Sequence, residues 1–234
     1  TGHYARVEHQ SGGTAVLRKS DCLERDQSYM LYRLTQQQLS MLLLPLEGLE
    51  KTQVRQIAHQ LGLACADAPD SQEICWLPDG DYASFIEQKL GSCPAGEFIS
   101  PDGTVCGQHK GLLHYTVGQR KGLGIALGRP VFIKSMDPRT NRIYLGDAGE
   151  EFAAGVVLRD CRWIPFDEPT RPIRAGVKIR SMAKEAEAQI TPLPNGAARV
   201  LFDIPQRAPA PGQSCVFYDE DYVLGGGYIE SQME

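Results

Sequence analysis

Pro130-Val131-Phe132-Ile133 and Arg142-Ile143-Tyr144-Leu145 flank the turn-rich Asp137-Pro138-Arg139-Thr140-Asn141. Two runs of β-branched and aromatic residues around such a turn form a hairpin pattern. The stretch decides the fold because no helical period recurs after it. Short strand candidates follow at 156–158, 177–181, 186–190, 199–202, 214–218 and 223–228, with turn residues between them. Their spacing predicts a small antiparallel barrel.

Upstream the pattern is mixed. Tyr4-Ala5-Arg6-Val7 and Val16-Leu17-Arg18 pair as a hairpin across Ser11-Gly12-Gly13. Thr35 and Gln38 have capping-box spacing ahead of Leu39, Leu42 and Leu43, and Pro45 with Gly48 ends that helix. Thr52 is placed to cap a second helix in which Val54, Ile57, Ala58 and Leu61 follow the i, i+3, i+4, i+7 rule, with Gly62 beyond its end. A third helix is expected from Asp81 to Gly91, and Pro101-Asp102-Gly103 turns a further hairpin. The expected fold class is therefore α+β, with an α/β front and an all-β rear that forms an antiparallel barrel.

Composition sets the outer limits. Of 234 residues, 42% are hydrophobic and 23% charged, a globular balance with ample material for a core. The longest apolar run, Met41-Leu42-Leu43-Leu44, stops at Pro45, far short of the ~20 residues of a membrane span. Lys and Arg number 24 against 29 Asp and Glu, and the net charge of −5 does not suit a generic nucleic-acid binder. The chain opens at Thr1 on what reads as an interior strand, with no signal peptide, so it is expected to be a fragment of a longer protein. The seven cysteines include no C-x-x-C pair, and His3 and His59 have no metal-ligand spacing, so no structural metal is expected. Without a secretory signal, reduced thiols in the cytoplasm are the expectation.

Three features carry candidate chemistry. Ser11-Gly12-Gly13-Thr14 has the composition of a phosphate loop, but a β-rich stretch follows it rather than a helix, and a hairpin turn is the better reading. Cys75 lies in a polar loop beside Asp70 and Glu73, whose charges disfavour a thiolate; residue types alone leave a reactive and an inert thiol both open. Residues 107–125 set His109, Lys110, His114, Arg120 and Lys121 among glycines, which suits either phosphate contact or a solvated loop. A second basic set, Arg171, Arg174, Lys178, Arg180 and Lys184, includes two residues two apart on a predicted strand. These form either a phosphate-reading stripe or the wet face of a barrel strand.

Five stretches occur in order: Thr1-Gly2-His3-Tyr4-Ala5, Arg25-Asp26-Gln27-Ser28-Tyr29, Asp70-Ser71-Gln72-Glu73-Ile74-Cys75, Tyr115-Thr116-Val117-Gly118-Gln119-Arg120-Lys121-Gly122-Leu123-Gly124 and Leu224-Gly225-Gly226-Gly227. Together they resemble the family of the tRNA-specific 2-thiouridylases, from residue 1 to about 230. The resemblance implies an enzyme that activates the wobble uridine with ATP and Mg, then places sulfur on C2 from a cysteine persulfide. It puts the persulfide on Cys75, and a nucleophilic terminal sulfur does require a thiol. It also implies a second cysteine and an ATP loop upstream of Thr1, the cysteine releasing the sulfur by forming a disulfide.

By matching motif, the resemblance carries Gly2 over as a nucleotide contact, and His3, Arg25, Asp26, Gln27, Arg180, Ser181 and Gln213 as tRNA contacts. His109, Arg120 and Lys121 are possible further tRNA contacts. Arg25 stands where Lys is commoner in the family, which keeps the charge, and Ser181 stands where an aromatic is frequent. The implied domains are 1–75, the end of an adenine-nucleotide-hydrolase-like catalytic domain; 76–130, a central α+β tRNA-binding domain; and 131–234, the barrel. The implied partners are tRNA and a sulfur-relay donor protein, in the cytoplasm and without a membrane. For these residues alone, a non-catalytic tRNA-binding module is the competing expectation. A tRNA methyltransferase would need a glycine-rich S-adenosylmethionine loop after a first strand, and the sequence shows none. The basic residues gather in 109–121 and 171–184, so local charge outweighs the acidic total, and RNA binding is expected to be modest and steeply salt-dependent.

Overall fold

A computed structural model describes residues 1–68 and 82–233. They form two compact units, Thr1–Ala68 with Ala153–Glu234, and Pro69–Phe152.

The first unit opens with the hairpin of β1 (Arg6–His9) and β2 (Ala15–Arg18), in register Val7↔Leu17. Gly13 turns it at φ +83°, a left-handed conformation that glycine adopts without penalty. This confirms Ser11-Gly12-Gly13 as a turn. After a 3-10 turn at Leu23–Arg25 come α1 (Ser28–Leu31), α2 (Gln36–Met41) and α3 (Lys51–Gln60). The Thr35/Gln38 capping box forms as expected, and it leads Leu39 into full burial. Helix α3 is capped by Glu50 rather than Thr52: the Glu50 carboxylate takes the N3 backbone and Gln53 reaches back to the cap N–H. No residue of α3 is buried, although its apolar positions have helical spacing.

The second unit carries α4 (Tyr82–Leu90) and a four-stranded sheet of β3 (Gly96–Ile99), β4 (Val105–His109), β5 (Val131–Asp137) and β6 (Arg142–Asp147), ordered β4-β3-β6-β5. Gly103 at φ +86° turns β3 into β4, and Asn141 at φ +52° closes the β5–β6 hairpin. The strand pattern groups the 131–147 hairpin with the rear of the chain. Its β6 instead pairs in parallel with β3, Phe98 opposite Ile143, and both side chains are fully buried.

The rear strands, β7 (Phe152–Trp163), β8 (Ile173–Lys178), β9 (Ala186–Leu193), β10 (Ala197–Arg207), β11 (Ser214–Asp219) and β12 (Tyr222–Met233), close into an antiparallel barrel. The ring runs β12-β11-β8-β9-β10-β7 and back to β12. Val156, Leu158, Val177, Ile190, Val200, Phe217 and Ile229 fill it, the inward half of each strand's alternation. Closure depends on Leu224-Gly225-Gly226-Gly227. A Cβ on Gly225 would lie 2.0 Å from the Arg162 carbonyl, one on Gly226 2.5 Å from the Cys215 carbonyl, and one on Gly227 2.7 Å from the Cys161 sulfur. The β1–β2 hairpin joins this sheet where Arg18 meets Tyr222. A second core then packs Ala5, Leu17, Tyr29, Tyr32 and Leu39 against Ile164, Val216, Tyr218 and Val223. That core makes the first 68 residues and the barrel one unit, and the fold is α+β.

Candidate nucleic-acid interface

The site grows from the loop before α1. Asp26 organises it: one carboxylate oxygen accepts from the N–H groups of Ser20 (3.0 Å) and Ser28 (3.3 Å), the other from the Ser28 hydroxyl (2.8 Å). Gln27 ties the loop to the strand entry, its N–H donating to the Tyr4 carbonyl at 2.7 Å and its side-chain oxygen accepting from the Tyr4 N–H at 3.0 Å. His3, next to Tyr4 in sequence, is half-buried, with Nδ1 3.0 Å from the Thr1 hydroxyl. Asp26 and Gln27 are thus committed to the protein's own backbone, and Arg25 stands exposed beside them.

Two bonds bring distant positions to this loop. The Tyr29 hydroxyl donates to the Ser214 carbonyl at 2.7 Å, adjacent to Gln213. Burial pushes the Tyr29 hydroxyl well above its ordinary pKa, against an opposing pull from Arg180, so it remains a proton donor at any working pH. Arg180 in turn donates through Nη2 to the Ala208 carbonyl at 2.6 Å. Ala208 begins the turn that carries Gln213, whose carbonyl accepts from Ile229 and whose N–H donates to Ala210. Positions 25–27, 180 and 213 therefore share one neighbourhood, with Arg25, Arg180, Ser181 and Gln213 exposed.

The remaining basic residues divide. Strand β8 ends at Lys178, so the expected period-two face does not run on to Arg180. Lys178 lies over the Tyr218 ring at 6.0 Å, and Arg174 pairs with the Asp203 carboxylate through both terminal nitrogens, which neutralises it. In the second unit, Arg120 and Lys121 are exposed on a turn that Gln119 holds: its side chain bonds the Thr116 N–H and the Lys121 carbonyl, and its backbone bonds β5 at Ile133. His109 is different. It is 1% exposed, with Nδ1 accepting from the Gly111 N–H and Nε2 donating to the Asn141 carbonyl, both at 3.1 Å. Phe98 and Tyr115 meet its ring edge-on, and a Cβ at Gly96 would strike it at 2.6 Å. Both nitrogens are occupied, so His109 offers nothing to an RNA and serves the packing of its unit.

Cys75 lies outside the described residues. Among the described thiols, burial pushes Cys161 up to about 12 and Cys215 well above its ordinary value, and raises Cys106, which makes all three poor nucleophiles. Gly2 is exposed, and among the described residues a Cβ there would touch only Leu46 at 3.6 Å. Among the described residues no group of three or more His, Cys, Asp or Glu could hold a metal ion, and no helix is long and apolar enough to cross a membrane. Sequence reasoning passed over Tyr4, Tyr29, Ala208 and Ser214 as site residues. The proline-rich Ala208-Pro209-Ala210-Pro211 preceding Gly212-Gln213 was the signal for a fixed turn there.

Comparison with known proteins matches three family models in order: a tRNA methyl transferase HUP domain over residues 1–79, a tRNA methyl transferase PRC-barrel domain over 83–147, and an aminomethyltransferase beta-barrel domain over 154–229. The chain is 47% identical over 232 residues to the tRNA-specific 2-thiouridylase MnmA of Acetivibrio thermocellus, covering 98% of this chain and 65% of that protein. It is 43% identical to the proteins of the same name from Clostridium beijerinckii (99% and 64%) and Halothermothrix orenii (98% and 64%). It thus spans a little under two thirds of their length. With three domain models in unbroken order and this identity along nearly its whole length, the chain belongs to the MnmA family of tRNA-specific 2-thiouridylases.

Proposed function

We propose that the chain is the tRNA-gripping and persulfide-bearing part of a tRNA-uridine 2-sulfurtransferase. The observation that carries this is the convergence of positions 25–27, 180 and 213 through the Tyr29–Ser214 and Arg180–Ala208 bonds. Two exposed guanidinium groups, Arg25 and Arg180, flanked by the amide of Gln213 and the hydroxyl of Ser181, suit phosphate and sugar contact. Asp26 and Gln27 act behind them as positioning residues. Arg120 and Lys121 supply further phosphate contacts from the second unit.

The chemical step is assigned to Cys75. Its persulfide would attack C2 of a wobble uridine presented out of the stack, because a stacked base shields that carbon. ATP with Mg supplies the activation of the C2 oxygen in this reading. Gly2 alone makes no phosphate cradle, so that activation, and the cysteine that frees the sulfur, are assigned to the length of the relatives that this chain does not span. A sulfur-relay protein loading Cys75, and a cytoplasmic setting, complete the proposal.

The test is Cys75→Ser in the whole protein: tRNA thiolation disappears and tRNA affinity stays. Normal thiolation would remove Cys75 from the role. Two of the matched family models are described as tRNA methyl transferase domains, which favours one second reading, tRNA methyl transfer. Methyl incorporation into tRNA from labelled S-adenosylmethionine would establish it in place of thiolation.

A further inference from the structure

One cavity of the first unit reaches beyond the matched motif positions. It is a groove of about 750 Å³ between the segment that follows β8 and the end of β10, lined by Arg180, Met182, Lys184, Glu187, Ile204 and Arg207, with Glu185 and Asp203 at its wall. Two of its apolar side chains are unusually open for their size, Met182 at 92% and Ile204 at 73% exposure. Its charge is less balanced than its composition suggests. Glu185 is paired with Lys19 at 2.7 Å and Asp203 with Arg174, and neither cation lines the groove. That leaves Glu187 as the one lining carboxylate not so paired among the described residues, against Arg180 and Lys184. Among the described residues Lys184 enters no ion pair.

The groove is continuous with the interface above, because Arg180 lines one and also holds the turn that carries Gln213. An excess of cations suits a phosphodiester chain. A pair of open apolar side chains does not suit a duplex backbone, but it matches the face of a base that has left its stack. Sites for single-stranded nucleic acid pair a cationic groove with side chains that contact base faces, aromatic ones above all, and Met and Ile serve elsewhere as wedges at unstacked base steps.

We propose that this groove holds an unpaired segment of the bound tRNA, with Lys184 against a phosphate and Met182 and Ile204 against an unstacked base. The proposal rests on the tRNA-binding reading and extends its footprint beyond Arg180. Lys184, a compact charge on a flexible stem, would supply affinity, and the apolar pair would favour unpaired over duplex RNA.

The test is fluorescence anisotropy with the full chain and a labelled tRNA transcript, over a range of salt concentrations. Lys184→Ala should weaken binding about fivefold near 0.15 M salt and lower the salt slope by about one, the effect of losing one phosphate contact. The double variant Met182→Ala, Ile204→Ala should weaken binding at least about threefold with the slope unchanged, because an apolar contact releases no counterion. All three side chains are exposed, so circular dichroism should match the parent protein. Wild-type affinity in both variants, with loss of affinity in Arg180→Ala, overturns the groove and leaves the tRNA reading standing. Equal affinity of the parent chain for tRNA and for duplex DNA of the same length overturns the reading itself, and the groove with it. If both variants bind tRNA normally but lose affinity for a polyglutamate peptide, the groove belongs to a protein partner and the proposal is wrong.

Discussion

The Tyr29 hydroxyl donates to the Ser214 carbonyl at 2.7 Å across 185 residues of sequence. It fixes the loop of Arg25, Asp26 and Gln27 against the turn that presents Gln213. Tyr29→Phe leaves a carbonyl unpaired at that contact. The expected cost is about 1–2 kcal/mol of stability, or roughly 2–8 °C in Tm, read by thermal unfolding. Affinity for tRNA should fall as well, although the phenyl ring would fill nearly the same volume. An unchanged Tm and affinity would mean that the bond positions nothing.

Gly226→Ala places a methyl group 2.5 Å from the Cys215 carbonyl and 2.9 Å from the Tyr32 ring. The first is backbone and cannot rotate away, so β11 and β12 must separate. Destabilisation of about 3 kcal/mol or more is expected from denaturant titration, at the upper end of overpacking costs. Gly212→Ala is the contrasting control: φ is +84° but none of the described residues lies within 4 Å of the added carbon, so the strain is confined to the backbone.

Asp102 titrates low. Hydrogen bonds from Ser100 and Thr104 hold its carboxylate down at about 2, against an ordinary value of 3.8. Because the folded value is depressed, its contribution to stability is present above the ordinary carboxylate pKa and is lost as pH falls through about 2. NMR titration of the carboxyl carbon should place the midpoint near 2 and show it rising in Ser100→Ala. A midpoint at the ordinary value in the parent protein would contradict the hydrogen-bonded turn between β3 and β4.

Cys161 and Cys215 should resist alkylation in the folded protein. Their thiols are pushed upward by burial, and the thiolate is the reacting species. Mass spectrometry after iodoacetamide at pH 8 should find both unmodified until denaturant is added. Rapid modification of Cys215 in the native state would show that the barrel core opens.

Local elements were largely legible in the sequence, and non-local pairing was not. The hairpins at Ser11-Gly12-Gly13, at Pro101-Asp102-Gly103 and at 137–141 were readable because turn residues with left-handed preferences punctuate them. The Thr35/Gln38 box was readable because its two partners are three residues apart. The parallel pairing of β3 with β6 was not, since nothing local marks which strand a hairpin will join. Glu50 displaced Thr52 as the cap of α3 because its carboxylate can perform the same bonding two residues earlier. The site shows the same division. Ordered motifs pointed to Arg25, Arg180 and Gln213, but the side-chain oxygens of Asp26 and Gln27 are taken up by the protein's own backbone and hydroxyl groups. His109 was grouped with basic loop residues, but the space left by Gly96 let it sink beside Phe98 and Tyr115. Arg174 looked available until a carboxylate 29 positions away claimed it.

The central claim is that exposed arginines from opposite ends of the sequence, joined by the fold, grip one tRNA. The most direct measurement is the salt dependence of tRNA affinity for the parent chain, Arg25→Ala, Arg180→Ala and the double variant. Each single variant is predicted to weaken binding about fivefold near 0.15 M salt and to lower the slope by about one, with the two effects adding in the double variant. Affinities and slopes that stay at parental values in all three variants would contradict the claim.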